Sequence, residues 1–143
     1  MAVRVEVSQV IDRPPAEVFR FYAVEHVQNH PRWDPDMQLE LLGEGPLRVG
    51  SMIKRVNSRS GQPVEGTMEV TEFAPNKAMS MIILDGQLEM RGRATFEPEG
   101  EHGTRLSFDV EIPGVEEGTD TSPLADGMRR SLANIKRMVE SGA

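Results

Sequence analysis

Between residues 37 and 112 the chain reads as six strand-length segments parted only by short turn-forming stretches. They lie at about 37–43, 50–58, 63–73, 78–84, 87–97 and 104–112. The breaks are Gly43 to Gly50 with Pro46, Ser58-Arg59-Ser60-Gly61, Ala74-Pro75-Asn76, Asp85-Gly86 and Gly100-Glu101-His102-Gly103. These residue types preset or tolerate turn dihedrals. Links this short leave no room for a crossover, so successive strands are predicted to pair antiparallel as a meander. Asp85-Gly86 is predicted to form a tight type I′ turn, with positive φ at both residues.

Parity then separates two faces. Met79, Met81 and Ile83 share one side of their strand, as do Leu88, Met90, Ala94 and Phe96 on the next. Leu106, Phe108, Val110 and Ile112 do the same on the last. Their alternates include Ser80, Glu89, Arg91, Arg93, Ser107, Asp109 and Glu111. One face is therefore apolar and the other wet.

Residues 3–11 alternate Val3, Val5 and Val7 with polar neighbours and add a first strand. Pro14 and Pro15 end it and suit a first helical turn. Val18, Phe19 and Tyr22 share a helical face, so 14–30 is read as one or two short helices. Pro31 disfavours helical geometry in the residue before it, and a turn is expected over Pro31-Arg32-Trp33-Asp34-Pro35. The C-terminal helix is the clearest element. Ser122 is its expected N-cap, Pro123 its first residue, and Asp126 lies near the positive dipole end. Ala125, Met128, Leu132, Ile135 and Val139 form its apolar stripe, and Gly142 ends it.

Only that helix is long enough to cover the apolar face. A twisted sheet of about seven strands is far wider than a helix of roughly 10–12 Å diameter. The sheet must curl around the helix or leave space beside it, and an elongated apolar pocket between the two is the expectation. The 143 residues are read as one α+β domain over 1–143.

Charge and composition narrow the function classes. The net charge of −7 disfavours nucleic acid as a partner. Arg129, Arg130, Lys136 and Arg137 are read as the solvated side of the last helix. The chain has no cysteine, hence no disulfide, thiolate metal site or cysteine nucleophile. No segment has the roughly 18 apolar residues of a membrane span, and a cytoplasmic location is the default expectation.

Four short motifs carry a resemblance. Ile11-Asp12-Arg13-Pro14-Pro15-Ala16-Glu17-Val18-Phe19 is a strand running into a proline-led helix with a Val-aromatic pair. Trp33-Asp34-Pro35 is a tryptophan-proline turn, Val70-Thr71-Glu72-Phe73-Ala74-Pro75 an acidic-aromatic strand end, and Gly103-Thr104-Arg105-Leu106 the start of the last strand. Together with the element order they resemble the START-like superfamily, also called SRPBCC, and its polyketide cyclase/dehydrase-like branch. The resemblance implies a helix-grip (Bet v-type) fold, a curved seven-stranded antiparallel sheet around a long C-terminal helix, with two short helices after strand 1. It also implies binding of a lipid, polyketide or other hydrophobic molecule, with catalysis in only some members. The sequence departs from the family pattern at the join of the short helices, which reads Tyr22-Ala23-Val24-Glu25-His26.

Trp33, Met52, Met68, Met79, Met81, Met90, Phe96, Phe108, Met128 and Leu132 are the candidate ligand-binding residues. Methionine is unbranched and polarizable, which suits a pocket for irregular apolar shapes and equally suits filling gaps in a core. Gly127, inside a helix, either admits a ligand or permits a close packing contact. His26, His30 and Asp34 look like metal ligands, but Pro31 interrupts them and no H-E-x-x-H is present. The histidines are expected to face solvent at a helix end, with no metal site and no cofactor. Lys54 shares parity with Met52 and Val56, so it either points inward or lies exposed beside Glu65. Trp33, Lys54, Glu65 and His30 are the polar groups available to an enzyme, and no catalytic constellation emerges. Binding of a small hydrophobic molecule is the leading expectation. A polyketide cyclase/dehydratase-like enzyme and a co-chaperone-like interaction module are the alternatives, and oligomeric state carries no signal.

Overall fold

The structure is a computed structural model that describes residues 3–116 and 118–142. The elements run β1 (Val3–Ile11), α1 (Pro15–Phe19), a π turn (Arg20–Val24), α2 (His26–Trp33), β2 (Met37–Leu42), β3 (Met52–Asn57) and β4 (Val64–Ala74). Then come β5 (Ala78–Asp85), β6 (Leu88–Glu99), β7 (Gly103–Ile112) and α3 (Ser122–Glu140). The seven strands form one antiparallel sheet in the order β1-β7-β6-β5-β4-β3-β2. The expected meander is present, and the chain's first two strands form its opposite edges. The short helices span the gap between those edges.

The inner face follows the alternation. Val3, Val5 and Val7 are buried while Arg4, Glu6 and Ser8 are exposed. Val7 lies opposite Phe108, and Met79 opposite Ala94. A bulge at Thr71 shifts the β4–β5 register between Val70 and Glu72, so Val70 faces Met81 while Phe73 faces Met79. An extra residue in one strand reverses its parity. The β5–β6 turn differs from expectation. Asp85 pairs with Leu88, leaving Gly86-Gln87 as the two-residue loop. Only Gly86 has positive φ, the pattern of a II′ rather than a I′ loop. Asp85 thereby stays in the strand.

Both helix ends differ from the sequence reading. α2 continues past Pro31 to Trp33, and the Asp34 N–H donates to the His30 carbonyl at 2.9 Å. Burial of Trp33 and that closing bond hold the last turn despite the missing proline N–H. α3 begins with Ser122 as its first residue rather than its cap. Thr121 is the cap and makes no side-chain cap bond, while the Ser122 N–H donates to Asp120 Oδ1 at 3.0 Å.

α3 lies along β1 and buries Ala125, Met128, Leu132, Ile135 and Val139. Lys136 Nζ donates to the Val10 carbonyl at 3.0 Å, and the Asp12 N–H donates to Glu140 Oε2 at 2.8 Å. These contacts fasten the end of the chain to the β1–α1 corner. At the other end of the sheet, β4 and β5 approach so closely at Gly66 that a Cβ there would sit 1.6 Å from the Leu84 carbonyl oxygen. Backbone cannot yield as a flexible side chain can. Gly66→Ala is expected to cost at least ~2 kcal/mol. Urea unfolding measures it, and a change within ~0.5 kcal/mol, as for an ordinary surface substitution, would show the approach is dispensable.

Candidate functional site

β3 turns an arginine inward. Ile53 and Arg55 are buried, while Lys54 is exposed on the opposite face. Arg55 Nε donates to Asp85 Oδ1 at 2.8 Å and Nη2 to Asp85 Oδ2 at 3.0 Å, a bidentate pair. Nη1 reaches Met68 Sδ at 3.7 Å, and Asn57 Nδ2 donates to Asp85 Oδ2 at 3.0 Å. The two charged side chains are only 6% and 8% exposed. Gly66 stands between them, opposite Arg55 on one side and opposite Asp85 on the other. With no side chain on the intervening strand, the guanidinium crosses β4 to its partner. Arg55 was not singled out by sequence reasoning, and Asp85 only as a turn residue. The available signal was Arg55 sharing parity with Ile53.

The second component grows from the π turn. The Glu25 N–H donates to the Arg20 carbonyl at 2.9 Å, and the widened turn is capped by side chains. Asn29 Nδ2 donates to the Phe21 carbonyl at 2.9 Å, and His26 Nδ1 lies 2.8 Å from the Tyr22 carbonyl. His30 Nδ1 is 3.0 Å from His26 Nε2, and His30 Nε2 is 4.0 Å from Asp34 Oδ2. Arg59, from the β3–β4 turn, ion-pairs with that same Asp34 oxygen. Tyr22 stacks on Trp33 at 5.3 Å and 15°, and His30 on Trp33 at 5.0 Å and 16°. His26 meets all three rings edge-on.

The histidines are therefore not solvent-facing. His26 is 1% exposed and the His30 side chain 12%, and α2 runs on through Pro31 to Trp33, with Asp34 as its C-cap beside His30. Burial holds His26 down to about 4, against the favourable Tyr22 carbonyl and with the Arg55 charge adding to the shift. Burial also pushes His30 well below its ordinary value, followed by the charges of His26, Arg55 and Arg59. Burial raises the Tyr22 hydroxyl above the usual phenol range.

Two open spaces meet at Arg59. A groove of about 400 Å³ is lined by Asn57, Arg59, Ser60, Val64, Asp85 and Leu88. A smaller pocket of about 140 Å³ is lined by residues that include Trp33, Asp34, Arg59, Gly127, Arg130 and Asn134. Asn134 Nδ2 also donates to the Trp33 carbonyl at 3.0 Å, tying α3 to this end of the grip. Beneath, the inner-face residues Ile83, Phe108 and Val110 are only half-buried, so the concave face is not fully covered. A cleft of about 330 Å³ between β1 and α3 is lined mainly by Glu6, Ser8, Gln9 and Arg129 and has no comparable buried polar group.

The sequence-selected residues divide into three sets. Trp33 is buried and lines the small pocket. Met68, Met79, Met81, Phe96, Met128 and Leu132 are buried in one continuous apolar cluster, Phe108 packs against it, and Met90 is also buried. Among these Met68 meets Arg55 through its sulfur, and Phe96 and Phe108 pack against the Tyr22 ring. Met52 lies on the face opposite Ile53 and Arg55, away from the others. Lys54 and Glu65 are exposed and 3.8 Å apart, which settles the two readings of Lys54 in favour of the outer face. At Gly127 a Cβ would meet the Arg59 and Arg130 guanidiniums at an ordinary 3.7 Å, so no tight packing contact demands the glycine.

The buried histidines dictate a pH response. Unfolded, each binds a proton near 6.5; folded, both stay neutral at that pH. Below 6.5 the unfolded state holds more protons, so their stabilising contribution is complete above 6.5 and declines as pH falls toward about 4. The expected slope is about 1.4 kcal/mol per pH unit per histidine. Glu72, Asp109 and Glu140 are held below the usual carboxylate range chiefly by hydrogen bonds from Arg93, Arg4 and Lys136, so they act lower, below about pH 4. Urea unfolding at pH 7, 5.5 and 4.5 checks this. A slope that survives in a His26→Gln, His30→Phe double variant would show that other groups cause it.

Comparison with known proteins places the chain. Residues 2–140 match the family described as polyketide cyclase / dehydrase and lipid transport. No curated protein matches in sequence. Among solved structures, Ara h 8.0201 superposes with a TM-score of 0.80 at 14% identity, over 99% of each chain. The Zhui aromatase/cyclase from Streptomyces sp. R1128 gives 0.78 at 15%, over 98% of this chain and 94% of that one. A Thalictrum norcoclaurine synthase point mutant gives 0.73 at 15%, over 99% and 96%. Likeness at these identities concerns the fold. Helix-grip architecture and the family match over nearly its whole length agree, and the chain belongs to the polyketide cyclase/dehydrase and lipid transport family.

Proposed function

We propose that the protein binds a small, largely hydrophobic molecule of lipid, polyketide or aromatic type between the concave sheet face and α3. The molecule enters at the end of the grip marked by Arg59. The observation that carries this reading is the incomplete cover of Ile83, Phe108 and Val110 on an otherwise apolar inner face. Exposed apolar surface in a concavity, with a few convergent polar groups, is the general form of a small-molecule site. Here the convergent groups are Arg55, Asp85, Asn57 and the His26–His30 pair. The methionine-rich wall behind them can repack around different shapes.

One observation favours a second reading, cyclase-like catalysis. Arg55 commits three of its five N–H donors to Asp85 and Met68, leaving two in a poorly solvated setting. Such donors stabilise an enolate forming on a poly-carbonyl substrate far better than they would in water. The family description and the aromatase/cyclase neighbour are compatible with either reading.

Trp33 is the only tryptophan and lines the small pocket, so its emission reports a ligand there directly. Fatty acids, sterols, quinones and aromatic polyketides are the panel to test. A bound member is expected to shift that emission and raise the melting temperature; a panel with no binder would overturn the proposal. Gly127→Ala provides the complementary test. The new methyl group fits, and the helix gains about 0.5–1 kcal/mol in stability. The variant is expected to be more stable yet to bind at least several-fold more weakly, because its Cβ narrows the pocket beside Arg59. Unchanged affinity would move the ligand elsewhere.

A further inference from the structure

The hydrogen bonds along α2 admit one direction only. A carbonyl oxygen accepts and never donates, so the Tyr22 carbonyl requires a proton on His26 Nδ1. A neutral imidazole carries one proton, so His26 Nε2 accepts, and His30 Nδ1 must donate to it at 3.0 Å. His30 Nε2 is then a lone pair. It faces Asp34 Oδ2 at 4.0 Å, and that oxygen already accepts from Arg59. Two acceptors thus face one another, and among the described residues no side chain donates to His30 Nε2. Protonation of His30 would supply one, but burial and the charges of Arg55 and Arg59 oppose it.

We propose that His30 Nε2 and Asp34 Oδ2 form a paired acceptor that selects ligands carrying a neutral O–H on an apolar body, with His26 as the positioning residue. This rests on the hydrophobic-ligand reading above and adds the polar group that such a ligand carries. Each cation that faces His30 from a neighbouring element is ion-paired, yet both still oppose a proton on the imidazole. Arg55 of β3 is matched by Asp85 of β5, and Arg59 of the β3–β4 turn by Asp34 after α2. An ammonium gains no net attraction here and meets two guanidiniums, whereas a phenol or alcohol meets two acceptors. The stack of Tyr22, Trp33 and His30 holds the imidazole plane, and Trp33 and Asp34, which both contact His30, also line the 140 Å³ pocket beside it.

Calorimetric titration of the full chain with 2-naphthol and with 2-methoxynaphthalene, the same body with its donor capped, tests the proposal. Wild type is expected to bind the naphthol at least ~10-fold tighter, a preference of the size a hydrogen bond to a buried acceptor sustains. His30→Phe keeps the stack and removes the acceptor, and is expected to bind both probes alike. His26→Gln is expected to reduce the preference by releasing the His30 tautomer. Equal affinity in wild type, or an undiminished preference in His30→Phe, overturns the paired acceptor while leaving hydrophobic binding intact; binding of neither probe overturns both. A measurement on wild type alone guards against a misfolded variant. Nitrogen-15 NMR between pH 6 and 8 is expected to show a protonated Nδ1 and a bare Nε2 on both histidines. A protonated His30 Nε2 overturns the proposal.

Discussion

The ion pair between Arg55 and Asp85 organises this end of the molecule. It joins strands that are not neighbours, bridging β3 and β5 over the bare backbone of Gly66. Burying two charges is costly, and the cost is offset only when geometry is close and the remaining polar positions are filled. Here the Nε–Nη2 edge of the guanidinium and an amide from Asn57 meet the carboxylate, with a thioether against Nη1. The arrangement needs the II′ loop at Gly86-Gln87, since a turn begun one residue earlier would remove Asp85 from the strand. It also needs glycine at 66, since any side chain there would strike the Leu84 carbonyl. Loop, glycine and ion pair are one structural decision.

The charge of Arg55 then shapes what lies above it. Its field reaches Tyr22, His26 and His30, where burial already disfavours a second positive charge. The histidines consequently stay neutral, and neutral imidazoles have a direction that imidazolium ions lack. A backbone carbonyl freed by the π turn fixes that direction at one end, and the Arg59–Asp34 pair closes the other. What the arrangement fixes at this site is hydrogen-bond polarity rather than net charge.

Different contacts hold α3 at the two ends of the grip. The β1–α1 corner is fastened to α3 by Lys136, Glu140 and Arg13, with a continuous apolar cluster inward of them. At the Arg59 end, α3 is held by Asn134 on the Trp33 carbonyl and by the Arg59 guanidinium lying over Gly127.

The meander, the two-faced sheet and the apolar stripe of α3 were legible in the sequence, because alternation, turn residues and helical spacing are local properties. Val3, Val5 and Val7 and the stripe from Ala125 to Val139 are read directly from such patterns. Buried polar groups are not local. Arg55 was hidden because parity divides β3 into two faces without saying which is inside. Asp85 was hidden because Asp-Gly is also a good turn. His26 and His30 were placed in solvent because Pro31 is a strong local stop, overridden by the burial of Trp33. The partners that stabilise these groups lie far along the chain or across the sheet, as with Arg55 and Asp85, 30 residues apart. Tertiary structure alone decided the site, since a buried charge or a fixed tautomer exists only once its partner has been brought to it.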